Sequence, residues 1–282
     1  MSKLIVMHHH PDLDAIGAGW LLVRFRESEF GQANFAFVPA GQTYKQTIVD
    51  IDPDIVHVDT GGGQFDHHDP KRTELSATLL VYQDLLKRQP HLAEDQALSL
   101  LVDFINEIDH FGEYHWPDPL NPRYAFILSN ITTSLHALNR FSNEEVVKLV
   151  FTYLDASYQY LKDLLRAKTE IAKGQEFQSL WGKSIALESG ADSAMKVAQM
   201  MGYDLVIRKD PRTGFTKIKT APKDNLNLKP LYDKILQREE ADKWFFHPSG
   251  HMLINGSSKN NQVKPSQLSL NQIIDIIKNL NN

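Results

Sequence analysis

The chain has 282 residues, room for one large domain or two modest ones at roughly 100–200 residues each. With 42% hydrophobic and 23% charged residues and a net charge of −5, it has the balance of a folded globular protein and not of a disordered chain. It contains no cysteine, which excludes disulfides, zinc–thiolate centres and a cysteine nucleophile. No window reaches the roughly 18 unbroken apolar residues of a membrane-spanning helix.

Leu4 to Met7 reads as a short buried strand. The run is too short for a signal peptide, so the cytoplasm is the expected compartment. Residues 13–26 follow with helical spacing, Ala15, Ile16, Trp20 and Val23 sharing one face. Asn34 to Val38 reads as a second strand. Asp54 to Asp59 reads as a third, ended by Gly61-Gly62-Gly63. Ser76 to Leu86, Glu94 to Ile108 and Tyr124 to Leu138 read as amphipathic helices. Strands alternating with helices imply crossover connections and a largely parallel sheet. Ser142-Asn143-Glu144-Glu145 is a capping box, and helical spacing then runs from Val146 to about Ala172. The second half is mixed. Ser184 to Leu187 reads as a strand, and Ala191 to Met201 as a helix ended by Gly202. Leu205 to Ile207 and Phe215 to Ile218 form a hairpin around Pro211-Arg212-Thr213-Gly214. A strand within Phe245 to Ile254, a loop over 255–267 and a helix from Leu268 to Leu280 close the chain.

Charge is skewed along the chain. Residues 1–141 hold ten Lys and Arg against nineteen Asp and Glu, with ten of the twelve histidines; residues 142–282 hold twenty against sixteen. This reads either as chance between two domains or as metal ligands gathered in one half and cations offered to an anion in the other.

Four short segments supply oxygen and imidazole donors. His8-His9-His10-Pro11-Asp12-Leu13-Asp14 follows the first strand directly, where open α/β sheets place ligands. Asp12 is equally suited to cap the next helix. Asp59 ends the third strand, as a ligand or as a turn residue. Asp66-His67-His68-Asp69 is too polar for core. Asp103 and Asp109 stand on or near a helix end. The combined set suits Mn²⁺ and tolerates Mg²⁺, Fe²⁺, Co²⁺ or Zn²⁺. It is too large for one ion, and two ions roughly 3.5–4 Å apart would need a bridging carboxylate.

The segments His8-x-x-Pro11-Asp12-x-Asp14, Asp59 and Asp66-His67-His68 resemble, in order and spacing, the first three motifs of the DHH phosphoesterase superfamily. That group includes RecJ-type exonucleases, nanoRNA and cyclic-dinucleotide phosphodiesterases, exopolyphosphatases and family II pyrophosphatases. Asn106-Glu107-Ile108-Asp109 stands where the fourth motif should fall. It departs from the Thr-Asp-Thr-Gly form and looks more like the melanocyte-proliferating-gene branch, as does Gly61-Gly62-Gly63-Gln64-Phe65 before Asp66. The departure leaves Asp103 as a substitute for Asp109. Ser249-Gly250-His251-Met252-Leu253-Ile254-Asn255-Gly256 resembles the Gly-Gly-His signature of the DHH-associated domain, with Ser249 in place of a glycine.

The resemblance implies an α/β fold: a parallel-sheet domain over 1–142 with helices on both faces, a helical connector over 143–178 and a smaller α/β substrate-binding domain over 179–282. It implies that His8 and Asp12 hold one cation, that Asp14, His67 and Asp109 hold a second, and that Asp59 bridges both. His68, Gly250 and His251 would meet substrate phosphate. His9 has no assigned role, and His10 stands where the superfamily has asparagine. Lys217 and Lys219, on the same side of a strand, are further substrate candidates. The expected substrate is a small phosphate ester or short single-stranded nucleic acid, bound between the domains and cleaved by metal-activated water. A membrane or a long duplex is not expected, and a homodimer stays open. Alternatives are a phosphoanhydride hydrolase of pyrophosphatase or exopolyphosphatase type, or a non-catalytic phosphate-binding protein. Exposed aromatic rings would favour nucleobases over inorganic phosphates. Phe215, Trp244 and Phe245 are candidates, but each reads more readily as core.

Overall fold

Ile5, Val6 and Met7 are consecutive and all fully buried. Successive strand side chains point to opposite faces, so this strand is covered on both. It is β1 (Leu4–His8), and it lies between β2 (Asn34–Val38) and β3 (Ile55–His57), parallel to each. Parallel neighbours need crossovers. The first is α1 (Leu13–Phe25), followed by the short α2 (Glu27–Phe30). The computed structural model describes residues 3–257, 260 and 262–280.

Asp12 caps α1, its Oδ1 accepting from the amides of Asp14 and Ala15, each at 3.0 Å. Gly17 lets α1 approach its neighbours closely: a Cβ there would meet Thr78 Oγ1 at 2.6 Å and Ile105 Cδ1 at 2.9 Å. Those two residues belong to α3 (Ala77–Arg88) and α4 (Gln96–Asp109), capped by Ser76 and Asp95. The helix expected over 124–138 is shorter. Asn121-Pro122 opens a 3₁₀ turn over Pro122–Phe126, Ile127 is extended, and α5 occupies Leu128–Ala137. The capping box at Ser142 and Glu145 forms and opens α6 (Asn143–Ala172).

The chain divides into two compact units, Met1–Leu161 and Lys162–Asn282. Val146, Val147, Val150 and Leu154 of α6 belong to the first core, and Ala167 and Ile171 to a cluster of the second unit. In the second unit β4 (Gln175–Ser179), β5 (Gly182–Glu188), β6 (Leu205–Lys209), β7 (Thr216–Thr220), β8 (Phe245–Phe246) and β9 (Met252–Asn255) form one sheet in the order β4-β5-β6-β7-β9-β8. Only the β5–β6 pair is parallel among these strands. α7 (Ser193–Met200) makes the crossover that this parallel pair requires.

Leu205 and Ile207 join a core with α8 (Lys229–Ile235) and α9 (Leu270–Lys278). Val206, pointing the other way, joins Ala194 and Ala198 of α7. β4 begins inside the stretch read as connector, because Phe177 alone of Gln175–Ser179 packs on the core and an edge strand shows little apolar pattern. Of the expected 255–267 loop, Ser258, Lys259 and Asn261 lie outside the described residues. The fold is thus mixed α/β, with a parallel sheet in one unit and a mixed sheet in the other. No helix among the described residues is long and apolar enough to cross a membrane.

Candidate metal centre

The ends of parallel strands deliver side chains to one edge of the first unit. His8 is the last residue of β1, and Asp14 is in the first turn of α1. Beyond β3 the chain continues through Val58 to Asp59, whose amide donates to Phe65 O at 2.9 Å. Asp59 has φ +55°, a left-handed conformation that aspartate and asparagine tolerate better than most residues. A loop with Gly61 and Gly62 at positive φ then returns the chain to Asp66-His67-His68. Asp109, at the end of α4, completes the set.

Asp59 faces two histidines, one with each oxygen. Oδ2 lies 3.2 Å from His8 Nε2, and Oδ1 lies 3.3 Å from His67 Nε2. Asp12 Oδ1 is 4.0 Å from His8 Nε2. On the other side, His67 Nε2 is 3.5 Å from Asp109 Oδ2 and 3.9 Å from Asp14 Oδ2. Two triads result, His8–Asp12–Asp59 and Asp14–His67–Asp109, and a third group links Asp59, His67 and His68. In each, the donor atoms lie within 4.8 Å of one another.

The electrostatics call for positive charge. Burial raises the Asp14 carboxyl, and the neighbouring Asp59 and Asp109 raise it further. Burial is also the main cause that lifts Asp109 to about 6. For Asp59 burial acts upward, but the two imidazoles beside it outweigh that and hold it low. For His8 burial acts downward, and Asp59, the His9 carbonyl and the Asp12 charge together more than offset it, raising the imidazole to about 9. Its nearness to Asp59 likewise raises His67, against burial. Asp59 Oδ1 and Asp109 Oδ2 are buried and accept no hydrogen bond. Such oxygens are costly without a partner. Crowded carboxylates, orphaned oxygens and a purely oxygen and imidazole donor set fit a divalent cation.

Neighbouring groups aim these donors. His8 Nδ1 donates to His9 O at 2.9 Å, which leaves Nε2 facing the carboxylates. Both Asp14 oxygens accept amides from the start of α3, Ala77 N at 2.7 Å and Thr78 N at 2.8 Å. Asp66, given no role by sequence reasoning, is buried and holds His68. Its Oδ1 lies 2.8 Å from His68 Nδ1 and accepts from His68 N at 3.0 Å, while Oδ2 accepts from Gly62 N at 2.7 Å. The His68 side chain remains 65% exposed. His110 and His136 were also missed. His110 bridges Asn106 O and Thr73 O, and His136 Nε2 bonds Pro11 O at 3.0 Å. His10 packs edge-on against His136, and His9 is exposed. Asp103 is exposed beside Ser99, outside the triads.

The remaining candidates are in the second unit. Gly250 has φ +75°, and a Cβ there would meet Asn227 Nδ2 at 2.6 Å. His251 Nδ1 lies 2.9 Å from Thr220 Oγ1. Lys217 and Lys219 share a face of β7, with Lys217 paired to Asp192. Of the aromatic candidates, Trp244 is core and Phe245 is exposed.

No family model matches the chain, and no curated protein matches it. Two crystal structures of RecJ from Thermus thermophilus align with it, one in complex with Mg²⁺ and one with Mn²⁺. Each is 10% identical over 99% of this chain, with TM-scores of 0.31 and 0.33. The chain covers 49% and 52% of those proteins, about half their length. The metal-donor character of the site therefore rests on its own geometry: one buried aspartate shared between two histidine–carboxylate groups.

Proposed function

We propose that the first unit is a metal-dependent phosphoesterase that hydrolyses a phosphodiester in a short oligonucleotide or nucleotide-like substrate. The observation that carries this reading is Asp59, whose two oxygens face His8 and His67 separately. Divalent cations held there would make a water nucleophilic near neutral pH and offset charge on the phosphate. One cation would be held by His8, Asp12 and Asp59 and a second by Asp14, His67 and Asp109, with Asp59 Oδ1 3.3 Å from His67 Nε2. Mn²⁺ is the favoured ion.

The chain's own groups do the rest. Asp59 fixes the spacing of the two donor groups. Asp14 and Asp12 are anchored by helix amides, so neither site has to be organised when substrate arrives. Asp66 accepts from His68 Nδ1 and presents the exposed ring, whose Nε2, when the ring carries both protons, would donate to a non-bridging phosphate oxygen where charge builds. Gly250, His251, Lys217 and Lys219, in the second unit, are proposed phosphate-binding residues.

The test is Mn²⁺-dependent hydrolysis over a panel of short RNA, short DNA, cyclic dinucleotides, pyrophosphate and polyphosphate, with Asp59→Asn alongside. Asparagine keeps the left-handed backbone accessible while removing the charge and leaving only one neutral oxygen donor. Turnover of a phosphodiester in the wild type, lost in the variant, supports the reading. Turnover confined to pyrophosphate or polyphosphate would replace it with a phosphoanhydride hydrolase.

A further inference from the structure

Directly after Asp109 the chain leaves α4 and forms only short 3₁₀ turns, Gly112–His115 and Pro122–Phe126, until Leu128. This segment is rich in rings. Trp116 stacks on Phe104 at 5.8 Å between centroids and tilts against Tyr124 at 5.6 Å. Tyr114 pairs edge-on with Phe111 and is 76% exposed. The rings are held from behind. Trp116 Nε1 donates to Glu107 Oε1 at 2.7 Å, the Tyr124 hydroxyl bonds Pro117 O, and Asn130 Nδ2 donates to Tyr124 O at 2.8 Å. Tyr114, Trp116 and Tyr124, together with Glu113 and Ile108, line a cavity of about 250 Å³.

Two observations give the cavity a chemistry. Three of its lining side chains are aromatic, Tyr114, Trp116 and Tyr124, beside apolar Ile108, Pro119 and Leu120, a surface on which an unstacked ring gains. One of its lining residues, Glu113, carries a buried carboxylate oxygen, Oε2, that accepts no hydrogen bond. A planar occupant that carries an N–H would use both. An aliphatic chain or a phenyl ring would meet the stacking wall and leave that oxygen unpaired.

The cavity also adjoins the donor cluster. Ile108 lines it, and the next residue, Asp109, is a member of the Asp14–His67–Asp109 triad. On the other wall, Ser129 of α5 lines it, and His136 of the same helix bonds the carbonyl of Pro11, next to Asp12. His136 lies seven residues along α5 from Ser129, about 10 Å at 1.5 Å per residue.

We propose that this cavity binds a nucleobase, with Trp116, Tyr114 and Tyr124 stacking on the ring and Glu113 accepting from a ring or exocyclic N–H. The inference rests on the phosphoesterase reading for its purpose, since a base seated there keeps its own phosphate beside the donor cluster. It specifies the substrate as a base-bearing ester and not an inorganic phosphate.

Binding is measured without catalysis, by titrating the chelator-treated protein with guanosine, which presents adjacent N–H donors and no phosphate. Trp20, Trp181 and Trp244 are buried, so quenching reports on Trp116. The wild type should be quenched. Tyr114→Ala and Glu113→Met should each raise Kd about tenfold. In parallel, Mn²⁺-dependent cleavage of a guanine dinucleotide is compared with that of its abasic analogue. Tyr114→Ala should raise KM for the first about tenfold and leave the second unchanged. No quenching, or quenching equal in all three proteins, overturns the inference. A dimer that Tyr114→Ala dissociates, with no response to guanosine, overturns it in favour of a second copy. Guanosine binding without any turnover upholds the base site and refutes the phosphoesterase. Cleavage of both dinucleotides at equal rates, unaffected by Tyr114→Ala, refutes the base site and upholds the enzyme.

Discussion

Asp66 is expected to act through another residue. It joins the amides of Gly62 and His68 and the His68 ring in one buried network. His68 is exposed, so this network is what fixes its orientation. Asp66→Ala is expected to lower kcat/KM about 10–100-fold while metal content stays near wild type. Asp66→Asn, which keeps an acceptor oxygen, should recover part of the loss. Loss of metal from Asp66→Ala would show that the loop, and not His68 alone, depends on it. At Asp59 the side chain and the backbone make separate demands. Asp59→Asn should lose bound metal with little change in folding. Asp59→Ala should lose metal and also destabilise the protein by about 1 kcal/mol, because alanine lacks aspartate's local compensation at positive φ. Metal analysis and thermal melts on the pair separate the two effects.

Among the elements, α1 is the most constrained. Its first turn carries Asp14, its N-cap is Asp12, and Gly17 sets its distance from α3 and α4. Gly17→Ala places a methyl against Thr78 and Ile105, both buried, and should cost about 1–3 kcal/mol despite alanine's better helix propensity. The same shift would move the α3 amides that bind Asp14, so metal affinity should fall along with the melting temperature. Unchanged affinity in a destabilised variant would separate packing from the site.

What was legible in the sequence follows physical rules. α1 announces itself by a capping aspartate and an apolar stripe. β1 and β3 show as apolar runs, and α6 as a capping box with a long repeat. The donors were legible because imidazoles and carboxylates stand out where strands end. Asp14's bonds to Ala77 and Thr78 were not, since their partners are backbone amides 63 and 64 residues away that leave no side-chain signature. The 110–127 segment was illegible for a related reason. Pro117, Pro119 and Pro122 break any period, and the ring contacts there follow no helical or strand spacing.

For the whole molecule, the division into two units separates the site's energetics from the rest. Every donor of the candidate centre belongs to the first unit. A cation that binds only the folded state stabilises it by mass action, about 2.7 kcal/mol at a hundredfold excess over Kd. Chelation is therefore expected to lower the unfolding temperature of the first unit and to leave the Ile273–Ile277 core of the second unchanged. Calorimetry with and without chelator, followed by Mn²⁺ add-back, reads this directly. Identical traces would remove the case for a structural cation at Asp59.

The double engagement of Asp14 has one more consequence. A single carboxylate is both a cap for α3 and a member of the donor cluster, so cation occupancy and helix fraying are thermodynamically linked. In the metal-free protein the raised pKa of Asp14 favours a protonated, weaker acceptor. A bound cation keeps it anionic and strengthens its hold on the helix. The amides of Ala77 and Thr78 should then exchange with deuterium more slowly as Mn²⁺ is added, which makes two backbone protons an occupancy gauge for a centre they do not enter.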